Sequence, residues 1–449
     1  MGLSAVERHS KTAPLVHVLV INWNGMEHLE ACFDTLLADA YPNARFVLID
    51  NASEDDSVAF VRGRYGADPR VEFLECERNL GWSGGNNAGI RRALEHGADY
   101  VFLINNDTAV EPGFLEKTVS VAEADAHVGV VAPKMRLFSQ PDILNSVGLE
   151  CSYIGSSWDK GVARQDSPAW DVPCEVIGAC GGACLIRASV FEKTGFLPEE
   201  FGIYLDDLDL CLRIWNAGFS VVSCPGAVVR HKFSATLGEG LRARHKYYLN
   251  TRNRFWMLFR NFPVSKLLCY APALLVAEAR AMGRGGLNGE WWRVGAHVKA
   301  WFAAAAYIPR AVGERARRSR HEQAVCRFWH LVRTDRMFCA GALLPVDGWY
   351  PDRRIENELF RPMARHAWLD IPAGRLRVVA VNCYPSLGEV ELRLRFPGGT
   401  EAILSDRHRA EGEYEVTAGR LELEAGHIYM SEDTGDTVDT GGWLRIEFL

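Results

Sequence analysis

The first 235 residues alternate between short apolar runs and longer segments with helical spacing, and this alternation limits the possible folds more than any other feature. Runs rich in apolar residues at 16–22, 45–50, 71–75 and 100–105 predict buried strands. The segments at 27–37, from about 57, and at 86–96 predict the helices between them. A β-α-β-α order of this kind predicts a parallel sheet covered by helices.

Polar residues follow these runs at the points where the strands are predicted to end. Asn22, Asp50 and the Asn105-Asn106-Asp107 triplet all occupy such positions. Ligands of parallel sheets bind beyond the carboxyl ends of the strands, so we expect a binding site there. Asp50 would be free to accept a hydrogen bond, for instance from a pyrimidine N–H. Asp107 suits a divalent cation completed by phosphate and water, although Asn and Asp also favour ordinary turns.

Two glycine-rich segments predict close approach of the backbone to a ligand. In ERNLGWSGGNNAG, Gly84 and Gly85 precede a helix expected to begin near Asn86, with its positive end available to an anion. The segment lacks the dinucleotide fingerprint and the lysine of a phosphate-binding loop, and a simple glycine turn is the alternative. In IGACGGACLIR, Gly181 and Gly182 permit either a close approach or a bend.

The segment IYLDDLDLCLRIWNAG places Asp206, Asp207 and Asp209 within four positions of an otherwise apolar stretch. Apolar residues at helical spacing and Gly218 at the end predict a helix with acids in its first turn. Such acids are stabilised by the helix dipole, which is one explanation. The other is chemical, because two neighbouring carboxylates raise each other's pKa and can supply a general base.

Seven segments together resemble a known enzyme family: VLVINWNG, VLIDNASEDDS, ERNLGWSGGNNAG, FLINNDTAVEPGFL, GACGGACLIR, YLDDLDLCLRIWNAGF and VVRHKFSAT. In this order they resemble the family-2 inverting glycosyltransferases, in particular the rhamnosyl- and galactofuranosyltransferase-like branch. The resemblance covers about residues 15–260. It implies an α/β GT-A catalytic domain with a Rossmann-like, mostly parallel sheet. It also implies transfer of a sugar from a UDP- or dTDP-sugar to a hydroxyl of a lipid-linked surface-polysaccharide glycan.

The resemblance implies a role for each acidic site. Asp207 would be the catalytic base, and Asp206 would contact acceptor hydroxyls or position its loop. Asp107 and His231 would bind the divalent cation, Mg²⁺ or Mn²⁺. The family's DxD motif reads Asn105-Asn106-Asp107 here, which leaves one fewer charge at the metal. Asp209 is expected to be structural or to cap the helix.

The resemblance also implies a nucleotide-sugar site in which Asp50 contacts the base. The residues expected there are Asn22, Asn24, Asp50, Asn51, Asn79, Gly84, Gly85, Asn86, Asn106, Gly181 and Gly182. In YYLNTRNRFWML, Arg252 and Arg254 would either reach phosphates or a lipid-linked acceptor, or pack between helices.

The rest of the chain divides into two further regions, so we expect domains at 1–259, 260–335 and 336–449. Residues 260–321 hold eleven Lys and Arg against three Glu, although the whole chain has a net charge of −7. That negative total argues against a general nucleic-acid binder. The basic segment predicts amphipathic helices that contact a membrane surface or form a packed linker. The strict alternation after 338 predicts an antiparallel β-sandwich that binds sugars or forms homo-oligomers.

The chain is predicted to be cytoplasmic and peripheral at the inner face of the cell membrane. Its start, MGLSAVERHSKTAP, lacks the apolar core of a signal peptide, and no run of eighteen apolar residues occurs. The twelve cysteines are scattered without zinc-site spacing, which suits a reducing compartment. Two other functions stay open: an inactive carbohydrate-binding or scaffold protein, and a nucleotidyltransferase, although the sequence lacks the glycine- and basic-rich loop that the latter needs.

Overall fold

The computed structural model describes residues 13–162, 164–232, 241–316 and 327–333, and between 353 and 448 the strands with a few adjoining residues. The N-terminal stretch 1–12, the end of the VVRHKFSAT segment and the predicted boundary at 335–336 lie outside the described residues.

The first domain alternates strands and helices as predicted, with a small antiparallel insertion. Its elements are β1 (Val16–Asn22), α1 (Met26–Leu37), β2 (Ala44–Asp50), α2 (Ser57–Tyr65), β3 (Val71–Glu75), α3 (Gly81–Glu95), β4 (Tyr100–Asn105), β5 (Thr108–Val110), α4 (Phe114–Ala124), β6 (Val128–Leu137), β7 (Leu144–Ser146), β8 (Leu149–Cys151), β9 (Ser157–Asp159), β10 (Ala183–Arg187), α5 (Val190–Thr194), α6 (Asp206–Asn216) and β11 (Ser220–His231).

Nine of these strands form one sheet with the order β3-β2-β1-β4-β10-β6-β11-β5, and β7 pairs with β6. The first four strands are parallel, and Asn22 lies opposite Asp50 at their carboxyl ends. Strand β10 runs antiparallel to both β4 and β6. The prediction of a mostly parallel sheet is therefore wrong for the second half, which is mixed. An apolar run such as β10 shows burial but carries no information on strand direction.

Helices cover both faces of this sheet because alternate residues of each strand point to opposite sides. On β1, Val18 and Val20 belong to the core that includes Phe33 of α1 and Phe114 of α4. Leu19 belongs to the core on the other face, which includes residues of α3 and α6. Both faces being covered, the carboxyl edge of the strands is the place left for a ligand.

Helix α3 begins at Gly81, so the expected start near Asn86 is wrong. The glycines of this segment lie inside the helix and allow it to pack closely on the sheet. A Cβ on Gly85 would lie 2.8 Å from Ile21 Cδ1, and one on Gly89 would lie 2.3 Å from Ile49 Cδ1. Close helix-to-strand packing accounts for these glycines, a use that a glycine-rich stretch shares with a ligand-binding turn.

Three long helices follow the first domain: α7 (Leu241–Asn261), α8 (Val264–Leu287) and α9 (Trp291–Ala316). Glu278 of α8 joins them through hydrogen bonds from His297 Nδ1 and Trp301 Nε1, each 2.8 Å long, and an ion pair with Arg254 of α7. Burial raises the pKa of Glu278, but Arg254 and His297 outweigh it and lower the pKa to about 2. Within the described residues, the helices are too short or too polar to cross a membrane.

The C-terminal region forms antiparallel sheets, which confirms the predicted period of two. The strands are β12 (Arg353–Ile355), β13 (Glu358–Pro362), β14 (His366–Ile371), β15 (Gly374–Val381), β16 (Val390–Arg395), β17 (Glu401–Asp406), β18 (Arg409–Val416), β19 (Gly419–Ala425), β20 (Tyr429–Met430), β21 (Asp439–Thr440) and β22 (Trp443–Phe448). A five-stranded sheet has the order β12-β13-β22-β15-β18, and a four-stranded sheet has the order β14-β19-β16-β17. The packing of these sheets into a sandwich stays a prediction.

Candidate active site

The carboxyl ends of β1 and β2 form a hydrogen-bonded polar group. Asn22 Nδ2 lies 3.4 Å from Asp50 Oδ1 and 3.2 Å from Ser53 Oγ. Asp50 Oδ2 accepts from the Ser53 N–H at 3.0 Å, and Asn24 Oδ1 accepts from the Glu54 N–H at 2.7 Å. Asn24 has a positive φ of 50°, which turns the chain at the end of β1. These contacts fix the loop in which Asn22, Asn24 and Asp50 were predicted to meet a nucleotide.

Two asparagine side chains take up the backbone donors at the start of α3. Asn51 Oδ1 accepts from the Leu80 N–H at 2.8 Å, and Asn79 Oδ1 accepts from the Gly81 N–H at 2.8 Å. Asn51 Nδ2 also donates to Asn79 Oδ1 at 3.1 Å. These side chains therefore bind backbone N–H groups near the start of the helix, where the sequence predicted that an anion could bind. The nucleotide contacts expected of Asn51 and Asn79 stay predictions.

Deeper in α3, the other predicted donor-site residues are buried. Gly84, Gly85 and Asn86 lie in the first turns of the helix, and Asn86 is fully buried. Asn86 Nδ2 donates to the Trp82 carbonyl at 3.0 Å, while its Oδ1 has no hydrogen-bond partner among the described residues. Direct contact of these three residues with a donor stays a prediction.

The two asparagines before Asp107 are both engaged within the protein. Asn105 Oδ1 accepts from Trp82 Nε1 at 3.0 Å, and Asn106 Nδ2 donates to Asn22 Oδ1 at 2.6 Å. Gly25 makes room for the second contact, because a Cβ there would lie 2.1 Å from Asn106 Nδ2. Of the triplet, Asp107 alone offers a carboxylate.

Asp107 and His231 approach each other at the end of the sheet. Asp107 Oδ1 lies 3.3 Å from His231 Nε2, and both residues are buried. His231 Nδ1 lies 2.7 Å from Asn145 Oδ1, which can accept a hydrogen bond from it, and His231 Nε2 faces Asp107. This arrangement places one carboxylate oxygen and one imidazole nitrogen where both can bind a cation.

The surroundings of Asp107 fit a divalent cation with nitrogen and oxygen ligands. Asp107 Oδ1 is buried and makes no hydrogen bond among the described residues. Burial raises the pKa of Asp107, but His231 and His28 outweigh it, so the pKa is lowered and the carboxylate is charged at neutral pH. In the described part of the chain, no group of three or more His, Cys, Asp or Glu forms a complete metal site. Mg²⁺ and related ions commonly use one or two protein ligands and complete their shell with phosphates.

A lysine lies beside this pair. Lys232 Nζ lies 2.9 Å from His28 Nδ1, and the Lys232 backbone N–H donates to the Asp107 carbonyl at 3.0 Å. Burial and the Lys232 charge lower the pKa of His28, which keeps that ring neutral. Lys232 therefore supplies positive charge next to Asp107.

Asp206 lies in the first turn of α6 and is buried, with 4% of the residue exposed. Ser83 of α3 donates its hydroxyl to Asp206 Oδ2. Burial and the neighbouring Asp207 charge raise the pKa of Asp206 to about 7. Asp206 is thus a carboxyl group that gains or loses its proton near neutral pH.

Asp207 is half-buried and is held by two backbone donors. Its Oδ2 accepts from the Gly181 N–H at 2.9 Å, and its Oδ1 accepts from the Leu208 N–H at 2.7 Å. Burial raises the pKa of Asp207, and these donors partly offset the rise. A side chain at Gly181 would collide with Trp82, since a Cβ there would lie 2.6 Å from the indole ring. The Gly181 backbone can therefore reach Asp207 because the residue has no side chain.

An unusual backbone segment delivers the two acids. Tyr204 and Leu205 have positive φ values of 71° and 62°, although neither is glycine. Such backbone persists when the surroundings hold it in place. Asn253 of α7 does so: its Nδ2 lies 3.0 Å from the Phe201 carbonyl, 2.8 Å from the Ile203 carbonyl and 3.0 Å from the Tyr204 carbonyl.

Asp209, the third acid of the segment, is structural. It is fully buried and accepts from Arg213 Nε at 2.9 Å, Arg260 Nη1 at 3.2 Å and Asn261 Nδ2 at 2.7 Å. Burial raises its pKa, but the Arg260 and Arg213 charges outweigh burial and lower it. Asp209 therefore joins α6 to the end of α7. This is the structural role, one of the two roles that were expected for it.

Arg252 and Arg254 follow the packing alternative. Arg252 Nη2 donates to the Glu200 and Phe201 carbonyls at 2.9 Å, and Arg254 pairs with Glu278. Their side chains hold helices and the 200–201 turn together.

A continuous set of contacts joins the acid pair to the Asp107 strand end. Asp207 contacts the Gly181 backbone, and Trp82 lies against Gly181. Trp82 in turn donates to Asn105, whose N–H donates to the Gly182 carbonyl at 3.0 Å. Gly181 and Gly182 thus connect the acid pair to Asn105 at the end of β4, two positions before Asp107, and we call the residues joined in this way the cleft.

Several residues of this cleft were not predicted from the sequence. They are His28, Trp82, Ser83, Asn145, Lys232 and Asn253. Trp82 and Ser83 lie within the glycine-rich segment and Lys232 follows His231, so proximity in sequence was a usable signal for them. Asn145 and Asn253 carry no local signal, because each acts through a contact that depends on the fold.

Part of the chain is similar to known proteins. Residues 17–195 match the family model described as Glycosyl transferase family 2. The uncharacterized protein y4gI of Sinorhizobium fredii is 27% identical over 257 residues, which cover 54% of this chain and only 28% of that protein. The low-salt glycan biosynthesis hexosyltransferase Agl10 of Haloferax volcanii is 22% identical over 248 residues, covering 53% of this chain and 73% of that protein.

A third relative is the N-acetylglucosaminyl-diphospho-decaprenol L-rhamnosyltransferase of Mycobacterium tuberculosis. It is 26% identical over 269 residues, covering 53% of this chain and 85% of that protein. Residues 17–195, the part that the family model matches, contain the strand ends, the α3 segment and the Gly181-Gly182 pair described above. Residues 17–195 are therefore similar to glycosyl transferase family 2, and the chain matches named glycosyltransferases over about half of its length.

Proposed function

We propose that the chain transfers a sugar, with inversion, from a UDP- or dTDP-sugar to a hydroxyl of a glycan, with Asp207 as general base. The observation that carries this proposal is the unequal environment of the acid pair. Asp207 is half-buried and fixed by the Gly181 and Leu208 N–H groups, whereas Asp206 is buried behind it on Ser83. One carboxylate therefore faces the cleft and the other supports it.

In the proposed mechanism, Asp207 accepts the proton of the attacking acceptor hydroxyl. The oxygen then forms a bond to the anomeric carbon on the face opposite the leaving group, and the nucleoside diphosphate departs with the electrons of the broken bond. The raised pKa of Asp207 makes it a stronger base than an exposed carboxylate. The two backbone donors keep the carboxylate oriented through the transfer.

Asp107 and His231 would hold a divalent cation, Mg²⁺ or Mn²⁺, through Asp107 Oδ1 and His231 Nε2. When bound, such an ion neutralises the negative charge that develops on a leaving diphosphate. A hydrogen bond from His231 Nδ1 to Asn145 would leave Nε2 available as a ligand. Lys232, beside the pair, would contact the same diphosphate.

The acceptor is proposed to be a lipid-linked surface-polysaccharide glycan, with the enzyme at the inner face of the membrane. The name of the mycobacterial relative states a decaprenol-linked acceptor, and Agl10 is named for glycan biosynthesis. The basic charge of residues 260–321 also fits a membrane surface. The antiparallel C-terminal region is proposed to bind the glycan or a second copy of the chain.

A donor screen with the full chain tests the transferase proposal. UDP-, GDP- and dTDP-sugars are supplied with Mg²⁺, Mn²⁺ or EDTA, and release of nucleoside diphosphate is measured. We expect one donor to respond in a metal-dependent way. The Asp207→Asn variant should lose this release while still binding the nucleoside diphosphate, because the proposed base acts on the acceptor hydroxyl and not on the nucleotide. Normal turnover by Asp207→Asn would refute the assignment of the base.

One observation favours a second function, a carbohydrate-binding or scaffold protein without activity. Asn105 and Asn106 stand where the family carries DxD chemistry, and both side chains are taken up by the protein. Absence of nucleoside diphosphate release from folded protein across the donor panel, combined with glycan binding, would select this function.

A further inference from the structure

Helix α9 has the reverse of the usual amphipathic arrangement. Several of its large apolar side chains face outward: Phe302 is 75% exposed, Trp291 69% and Val312 58%, whereas Tyr307 is buried on Trp256. Its buried face is formed largely by small alanines and polar groups, and Ala300 and Ala304 pack on Phe255 of α7. A helix stabilised only by packing within this protein would place the aromatic residues on the inner side.

The outward residues of α9 lie on one side of the helix. Trp291 precedes Phe302 by eleven positions, and Val312 follows it by ten; eleven residues complete about three turns of an α-helix. The same pattern occurs on α8, where Val264 is 58% exposed, Leu268 72% and Leu275 66%, at spacings of four and seven. We call six of the exposed apolar residues of α8 and α9 the outer face; they are Val264, Leu268, Leu275, Trp291, Phe302 and Val312.

Charge identifies the partner that the outer face fits. Residues 260–321 carry eleven Lys and Arg against three Glu, within a chain of net charge −7. Each of those glutamates is paired: Glu278 with Arg254, Glu290 with Arg293, and Glu314 with Arg260 and Arg310. Among the described residues of α8 and α9, the cations Arg280 and Lys299 are exposed, and Lys299 lies three positions from Phe302 on the same helix.

A second copy of the chain would bring two basic segments together and meet electrostatic repulsion. An interface of anionic lipid instead receives the apolar residues and attracts the cations. Tryptophan at the edge of such a face, like Trp291 at the start of α9, is typical of side chains at the level of lipid headgroups.

We propose that the outer face of α8 and α9 lies in the interface of a membrane that contains anionic lipid. This inference rests on the proposed function, which includes a lipid-linked acceptor. It deepens that function by assigning the membrane contact to particular residues. The catalytic domain would then be held beside the membrane through α7, which contacts both α9 and the loop before Asp206.

Co-sedimentation of the full chain with vesicles tests the proposal. Vesicles of phosphatidylglycerol and phosphatidylcholine in equal parts are compared with pure phosphatidylcholine. We expect binding to the anionic vesicles that falls with added salt. A Phe302→Ser/Val312→Ser variant should bind these vesicles at least about tenfold more weakly, since two exposed apolar side chains no longer enter the lipid. Lys299→Glu should weaken binding to anionic vesicles only.

The matched control is Val172→Ser, which removes a side chain 67% exposed in the first domain, outside the outer face. It should bind vesicles like the wild type. All variants should keep the wild-type melting temperature, because the replaced side chains are exposed. Equal vesicle binding by the Phe302→Ser/Val312→Ser variant and the wild type would overturn the proposal. So would a wild-type dimer that this variant converts to monomer while neither protein binds vesicles.

Nucleoside diphosphate release measured without vesicles separates this proposal from the transferase proposal. The outer-face variants should retain that release. A wild type that binds vesicles but releases no nucleoside diphosphate from any donor would uphold the membrane contact and remove the transferase function. A wild type that releases nucleoside diphosphate but binds no vesicles would uphold the transferase function and overturn the membrane contact.

Discussion

Replacing Asp206 by Asn removes one titratable group from the acid pair and keeps its shape. Asp206 is 4% exposed, and its pKa is raised from 3.8 to about 7 by burial and by the Asp207 charge. A rise of about three units corresponds to ~4 kcal/mol of preference for the neutral form in the folded protein. The amide of Asn is neutral at every pH and can still accept the Ser83 hydroxyl.

The sign of the pH effect follows from linkage. Well below pH 3.8 the carboxyl is neutral in both states, so its contribution to stability is fully present. As pH rises, the unfolded chain releases this proton near 3.8, while the folded protein retains it to about 7. Stability is therefore lost as pH rises through that window, by ~2 kcal/mol between pH 5 and pH 7. Asp206→Asn has no proton to lose, so its stability relative to the wild type should grow over that range.

Unfolding midpoints of the wild type and Asp206→Asn at pH 5 and pH 8 check this reasoning. The stability of Asp206→Asn minus that of the wild type should be more positive at pH 8 than at pH 5. Asp209→Asn is the matched control on the same helix: the pKa of Asp209 is lowered, and the substitution removes the buried carboxylate that pairs with Arg213 and Arg260. That variant should be destabilised at both pH values by ~3–5 kcal/mol. A gap between Asp206→Asn and wild type that stays constant with pH would refute the raised pKa.

Other substitutions test separate parts of the cleft. Asp107→Asn should weaken Mn²⁺ binding, measured by calorimetry, by about tenfold or more; unchanged binding would remove Asp107 from the metal site. Lys232→Ala should raise the donor KM more than it lowers kcat, because a ground-state phosphate contact is lost. Gly181→Ala should destabilise the fold by ~1–3 kcal/mol and lower transfer, since the new Cβ meets Trp82. Asn253→Ala should lower kcat and leave nucleotide binding intact, whereas a change in nucleotide affinity alone would contradict its role in positioning the acids.

The first half of the sheet could be predicted from the sequence because its strands are local and strongly patterned. Strands β1, β3 and β4 have the predicted bounds, and Asn22, Asp50 and Asp107 lie at the strand ends where ligands of such sheets bind. The mixed second half could not be predicted in this way. The direction of β10 depends on how the chain returns to the sheet, and an apolar run of five residues is the same in either direction.

The start of α3 shows a different limit. Glycine lowers helix propensity, so GWSGGNNAG favoured a loop before Asn86. The helix nevertheless includes these residues, because Gly85 and Gly89 allow close packing on Ile21 and Ile49. Tertiary packing overrides the local preference here, and the packing partners lie more than thirty positions away in the sequence for each glycine.

The three acids of α6 show why residue type and spacing alone did not settle their roles. All three occupy the first turn of one helix, where the dipole favours each of them equally well. Their partners come from other parts of the chain: Ser83 meets Asp206, the Gly181 backbone meets Asp207, and Arg213 with Arg260 meets Asp209. Burial and the Asp207 charge raise the pKa of the first acid to about 7, the Gly181 backbone orients the second, and the two arginines keep the third charged within the core.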